Sequence, residues 1–299
     1  MDINIINMPL DYGAGVRGTN AAPQILFNSG LLNRLKALNH NLSTETCPVE
    51  ACPVDVENSD AKHLDPITKS CITLADRVMA TKAKGQFPLI LGGDHSILLG
   101  TLAGASLAAQ KEGKTLGVIY VDAHGDFNTP ESSPTGNIHG MCLAASCGIG
   151  LPQLVNLHHE GQKIKPENVY IIGPRDLDDT EKVVMRKANV NVRTMTDICE
   201  NGFNSIVLNA IKDLSSRCDA IHLSFDIDSV DPVYAPGTAI HVPGGISSRE
   251  AIHLMTLLHR CPKLYSADFV ELNPFRDQNN HTADLIVTLI AHLMGETYY

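Results

Sequence analysis

The chain of 299 residues reads as an α/β protein, a mostly parallel sheet with helices packed on both of its faces. Three observations predict that class. Short, β-branched apolar runs recur along the chain, stretches of helical periodicity separate them, and polar clusters follow the apolar runs. The runs are continuously apolar, as expected of strands covered on both sides.

The first strand is "INIIN" (3–7), and a helix is expected at about 22–38. Residues 41–60 carry Pro, Glu and Asp without periodicity and read as a long irregular connection. A helix at 62–84 leads into "FPLIL" (87–91), and one at 96–110 leads into "LGVIYV" (116–121). "VYIIG" (169–173) precedes a helix at 179–188, and a helix at 203–216 precedes "AIHLSF" (220–225). A helix at 247–259 leads to "LYSADFV" (264–270), with a last helix at 281–295. No repeat or low-complexity linker interrupts this alternation, so a single domain over 1–299 is expected.

Composition narrows the function classes. The chain is 43% hydrophobic and 19% charged, ordinary for a soluble globular protein. A net charge of −10 and the absence of Trp disfavour a nucleic-acid surface. No apolar run approaches the roughly 20 residues needed to span a bilayer, so no membrane association is expected. The start, "MDINIINMPLDYG", lacks the basic and apolar regions of a signal peptide. The eight cysteines show no CxxC spacing, which suits reduced thiols in a cytoplasmic protein. Cys47 and Cys52, in "TETCPVEACPVDVENSD", are the ones expected to be exposed.

In doubly wound sheets ligands bind at the carboxyl ends of the strands, and the polar clusters lie there. "LGGDHSILLG" (91–100) brings His95, although a turn capped by Asp94 or Ser96 accounts for that motif alone. "VDAHGD" places Asp122, His124 and Asp126 at alternate positions, hence on one face of an extended segment. Gly125 lets the backbone pass close to its neighbours there. "SFDIDSVDP" repeats the pattern with Asp226 and Asp228, and Asp231 before Pro232 reads as a turn former. Four carboxylates and two imidazoles exceed what one tetrahedral zinc takes and suit two bridged divalent ions. An oxygen-rich set without Cys favours Mn²⁺, with Fe, Co, Ni or Zn as substitutes.

GGDHS, DAHGD and SFDID in this order resemble the ureohydrolase family, most closely its arginases, and the likeness runs from "GAGVRGTNAAP" to "TADLIVTLIAHLMGE". The resemblance implies a three-layer α/β/α sandwich and two manganese ions. One would be held by His95, Asp122, Asp126 and Asp226, the other by His124, Asp122, Asp226 and Asp228. "NTPESSPTGNIHG" (128–140) looks like the arginase loop, which gives Asn128 and Thr135, with Ser133 and Asn137, the α-carboxylate of L-arginine. It gives His139 a proton shuttle. "GPRDLDDTE" similarly gives Asp178 the α-ammonium group and Glu181 a water-mediated contact. Glu271 matches the carboxylate that holds the guanidinium.

The implied reaction is hydrolysis of L-arginine to L-ornithine and urea. A hydroxide shared by the metals attacks the guanidinium carbon, and Asp126 passes its proton to the leaving amine. Arg175 and Asp176 are expected to be structural partners. His158, His159, His222, His253, His259, His281 and His292 are expected at the surface or in packing roles. Arg249 and Glu250 resemble subunit-interface residues of a family that forms homotrimers or homohexamers. One departure stands out: "APGTAIHVPGG" (235–245) has Ala239, Ile240 and His241 where the family's Gly, Thr and Pro are expected. Hydrolysis of agmatine or a guanidino acid, and a non-catalytic arginine- or metal-binding role, are the alternatives.

Overall fold

The computed structural model describes residues 1–52 and 60–299. Among the described residues, eight strands form one sheet: β1 Asp2–Asn7, β2 Asn41–Thr46, β3 Phe87–Leu91, β4 Leu116–Val121, β5 Val169–Ile172, β6 Asn191–Arg193, β7 Ala220–Asp226 and β8 Leu264–Val270. Their spatial order is β2-β1-β3-β8-β7-β4-β5-β6, and every pairing is parallel. Helices cover both faces, the three-layer arrangement expected. Two apolar clusters fill the interfaces: Leu89, Ile119 and Leu223 point to one face, Ile90, Val118 and Tyr120 to the other. This two-sided burial is why the central strands read as unbroken apolar runs.

Two strands were not expected. β2 falls within the segment read as irregular and pairs with β1 in register from Asp2↔Asn41 to Asn7↔Thr46. Its sequence NLSTET is mostly exposed, as befits a sheet edge, so no apolar run marks it. The rest of that reading, at 53–59, lies outside the described residues. Cys47, the residue after β2, donates its N–H to Asn7 O and buries its side chain. Cys47 is therefore not exposed; Cys52 is half-buried and Cys199 is the exposed cysteine. β6 covers only three residues at the opposite edge.

The helix expected at 22–38 is two helices, Ala22–Asn28 and Leu31–Ala37, because Gly30 between them adopts φ +89. The other long helices stand where the periodicity puts them, Ser248–His259 with a Ser247–Glu250 capping box. No helix among the described residues is long and apolar enough to cross a membrane.

For the site, one property of the sheet matters most. β3, β8, β7, β4 and β5 are consecutive neighbours, so the polar segments that follow them converge on one edge.

Candidate active site and metal centre

His95 opens a 3₁₀ turn after β3, and Asp94 caps that turn by accepting from Ser96 N at 2.9 Å. The turn-cap reading of GGDHS is thus correct for Asp94 and leaves His95 free to face the neighbouring strand ends. His95 Nδ1 lies 3.0 Å from Asp122 Oδ2, 3.2 Å from Asp126 Oδ2 and 3.1 Å from Asp226 Oδ2. One imidazole nitrogen carries at most one proton, so these three buried carboxylates surround a centre that one proton cannot satisfy. Beside it, His124 Nδ1 lies 3.3 Å from Asp122 Oδ1 and 3.1 Å from Asp228 Oδ2. His95, Asp122 and Asp126 form one compact ligand set, and Asp122, His124 and Asp228 form another. Asp122 belongs to both. Asp226 adjoins both, facing His95 with Oδ2 and accepting Asp228 N on Oδ1 at 2.8 Å.

Electrostatics make the cluster unstable without positive charge. Burial and the neighbouring Asp122 push Asp126 up to about 6. Burial, then Asp228 and Asp122, hold Asp226 well above the usual carboxylate range. Burial alone would raise Asp122, yet hydrogen bonds from His124 and His95 outweigh it and hold Asp122 low. His124 Nε2 is buried and takes part in no hydrogen bond, and buried Asp122 Oδ2 meets only the His95 Nδ1 that Asp126 and Asp226 also crowd. Carboxylate oxygens that share a single partner, together with two imidazole nitrogens, are donors for divalent cations. The residues fit such ions.

A cavity of about 140 Å³ opens above the cluster. Its wall includes Asn128, Ser133, Thr135, Asp178, Glu181 and Glu271, with His139 beside Glu271. Asn128 Nδ2 donates to Asp178 Oδ2 at 2.9 Å, joining the two loops expected to hold the amino-acid end of a substrate. Ser132, which the sequence did not single out, donates to Asn128 Oδ1 at 2.8 Å. Ser133 Oγ accepts from Gly136 N at 3.0 Å. Thr135 Oγ1 accepts from Asn137 N at 3.2 Å, so both hydroxyls shape their own loop as well as facing the cavity. Asn137 is not part of the wall; it lies against Gly15, where a Cβ would stand 3.1 Å from its Nδ2.

Glu181 accepts from Phe127 N at 2.8 Å, and burial pushes it up to about 7. The close approach expected at Gly125 is to this carboxylate, which a Cβ would meet at 2.8 Å. Glu271 follows β8 with φ +64, and Asp126 has φ +49; both are left-handed, a strained state for these residues.

Arg175 is structural as expected, donating to the carbonyls of Asp228 at 2.8 Å, Ser229 at 3.1 Å and Val242 at 2.8 Å. Asp176 differs: it lies on the cavity wall, its Oδ2 4.0 Å from His124 Nε2. Tyr120 was missed. Its hydroxyl donates to Asp126 Oδ2 at 2.6 Å, and its ring stacks on His95 with centroids 4.6 Å apart. The available signal was its position two residues before Asp122, on the same face of β4. His222 is buried and paired with Asp268 at 3.1 Å, a packing role in a polar network.

The Arginase family model matches residues 1–295. The chain belongs to the arginase family. The arginase of Bacillus subtilis is 41% identical over 298 residues, spanning 98% of each chain. The native Bacillus caldovelox arginase structure superposes with a TM-score of 0.95 at 39% identity, covering 100% of this chain and 99% of that one. An Entamoeba histolytica arginase, solved in complex with L-ornithine, matches with a TM-score of 0.91 at 32% identity over 99% of both chains. In this arginase-family chain the three acidic and histidine motifs are thus the parts that converge.

Proposed function

We propose that this chain hydrolyses the guanidinium group of L-arginine to L-ornithine and urea. The observation that carries the reading is the pair of ligand sets sharing Asp122, directly beneath a cavity walled by Glu271. His95, Asp122, Asp126 and Asp226 would hold one Mn²⁺, and His124, Asp122, Asp226 and Asp228 the other. When bound, two such cations supply hydroxide from water near neutral pH and so provide the nucleophile.

The chain's own residues do the rest. Glu271 orients the cationic guanidinium by charge. Asp126 takes the proton of the attacking hydroxide and hands it to the departing Nε of arginine, the future δ-amino group of ornithine, as the Cζ–Nε bond breaks. His139 carries to solvent the other proton, the one water loses in becoming hydroxide, being about one-fifth exposed at the cavity while its Nδ1 edge meets Glu271. Asn128, Ser133 and Thr135 offer neutral donors to the α-carboxylate, and a neutral set avoids repelling the guanidinium. Asn137 supports the loop from behind. Asp178 takes the α-ammonium group, and Glu181 contributes through water. The ornithine found in the Entamoeba arginase structure supports a product of this kind.

Hydrolysis of another guanidino compound is the second reading, favoured by Ile240, an aliphatic side chain on the cavity wall. We further propose that the chain acts as one catalytic domain, in a cytoplasmic homotrimer or homohexamer. The deciding test is urea release from L-arginine and agmatine, side by side, after Mn²⁺ reconstitution. Release from L-arginine is expected to dominate; release from neither substrate overturns the proposal.

A further inference from the structure

Behind the cluster, a polar network runs through the middle of the sheet, away from the cavity. His222 and Ser224 are on β7, Ser266 and Asp268 on β8, and the register sets His222 against Ser266 and Ser224 against Asp268. All four are completely buried. Ser266 Oγ lies 2.9 Å from His222 Nδ1, and His222 Nε2 lies 3.1 Å from Asp268 Oδ2. Ser224 Oγ donates to Asp268 Oδ1 at 2.6 Å, and His95 Nε2 lies 2.9 Å from the same Ser224 oxygen. The series ends at His95, whose other nitrogen faces Asp122, Asp126 and Asp226.

Counting protons fixes the direction of these bonds. A serine hydroxyl has one proton, and that of Ser224 is given to Asp268. Toward His95 the Ser224 oxygen therefore offers only lone pairs, so the contact requires a proton on His95 Nε2. A neutral His95 with its proton there presents the Nδ1 lone pair to the carboxylate cluster and to the Tyr120 oxygen at 2.9 Å, an arrangement that a cation between them stabilises. The opposite tautomer would set lone pair against lone pair inside a dry sheet, where such a mismatch is costly.

We propose that Asp268 and His222 are positioning residues that act through Ser224 to hold His95 in its metal-binding tautomer. Asp268 accepts the Ser224 proton, and His222, anchored by Ser266, fixes the Asp268 carboxylate by meeting its second oxygen. Neither residue reaches the cavity. The Asp268 charge and these hydrogen bonds also make the His95 imidazole a stronger donor, as partners behind metal-bound histidines do. This inference rests on reading the cluster as a two-metal centre.

Calorimetric titration of the metal-free protein with Mn²⁺ tests it without reference to turnover. The wild type is expected to bind two ions. Asp268→Asn, which keeps the shape and removes the charge, should weaken one of them by roughly 10- to 100-fold and leave the other unchanged. Ser224→Ala should weaken the same ion, and adding Asp268→Asn to it should cost nothing more, since the two act in series. Equal weakening of both ions, wild-type affinity in Asp268→Asn, or full additivity with Ser224→Ala overturns the proposal. If Asp268→Asn does not fold, His222→Gln carries the test. It should weaken that same ion several-fold, and wild-type affinity in a folded His222→Gln protein overturns the proposal. A wild type that binds no Mn²⁺ removes the two-metal reading and this inference together; two ions that ignore these variants remove the inference alone.

Discussion

His139 Nδ1 lies 3.2 Å from Glu271 Oε1, and the same oxygen accepts the backbone N–H of His95 at 2.8 Å. The group assigned to proton exchange therefore touches the group assigned to the guanidinium, leaving the second Glu271 oxygen for a ligand. The contact also sets the charge of His139. Burial lowers its pKa, but the Glu271 hydrogen bond and charge, then Asp126 and Asp94, outweigh burial and raise it to about 9.

A pH dependence follows for the metal-free protein. The folded-state value lies above the ordinary histidine value of 6.5, so the pair's stabilisation is fully present below about pH 6.5. It is lost as pH rises through about 9. Urea unfolding of wild type and His139→Asn should show a stability gap at pH 6 that closes by about pH 10. A gap that stays constant across that range rules out the charged pair.

Asp122 belongs to both ligand sets, whereas Asp228 belongs to one. Asp122→Ala should therefore lose both ions and nearly all urea release, while Asp228→Ala should retain one ion. Elemental analysis of purified, dialysed protein reads the difference. Two ions retained in Asp122→Ala would contradict the shared position.

Asp178 is tied to Asn128 by a 2.9 Å hydrogen bond on the cavity wall. Asp178→Ala should raise KM for L-arginine by roughly 10-fold or more, the scale of a hydrogen bond to a charged group. Turnover of δ-guanidinovalerate, the analogue without the α-ammonium group, should barely change. Steady-state kinetics on both compounds would place the α-ammonium elsewhere if the two respond alike.

Ile240 and Ala239 form an aliphatic stretch of the same wall. His241 does not replace the missing hydroxyl: its ring is exposed, is not part of the wall, and meets Pro236 O at 2.8 Å through Nε2. Ile240→Thr with His241→Pro should raise kcat/KM for L-arginine by about 10-fold or more, if the threonine bonds a charged group in the transition state. His241→Ala alone should leave kcat/KM unchanged. A double variant no better than the parent would make the departure neutral.

The ligand residues were legible because strand alternation alone puts i, i+2 and i+4 on one face, and the sequence carries that alternation as DAHGD and FDID. The same rule was available for the network behind them. His222, Ser224 and Asp226 alternate along β7, yet "AIHLSF" reads as an apolar run because only two of its six residues are polar. What no local pattern holds is partnership: that Ser224 faces Asp268 depends on β7 and β8 being neighbours across a long connection. β2 was illegible for a different reason, since a polar edge strand owes its conformation to β1. The break at Gly30 was in plain view as a residue type and was passed over by periodicity.

β8 is the last strand in chain order, yet it sits between β3 and β7 in the centre of the sheet. During synthesis the ribosome has therefore made every other strand before the central place can be filled. Until residues 264–270 emerge, β3 and β7 each have one unpaired edge, and Glu271 is not there to meet His95. A nascent or truncated chain ending before β8 thus carries two sticky edges in place of a continuous sheet, a species prone to aggregation. Such a chain has no route to a working enzyme, because the final strand is the keystone that brings its two halves together.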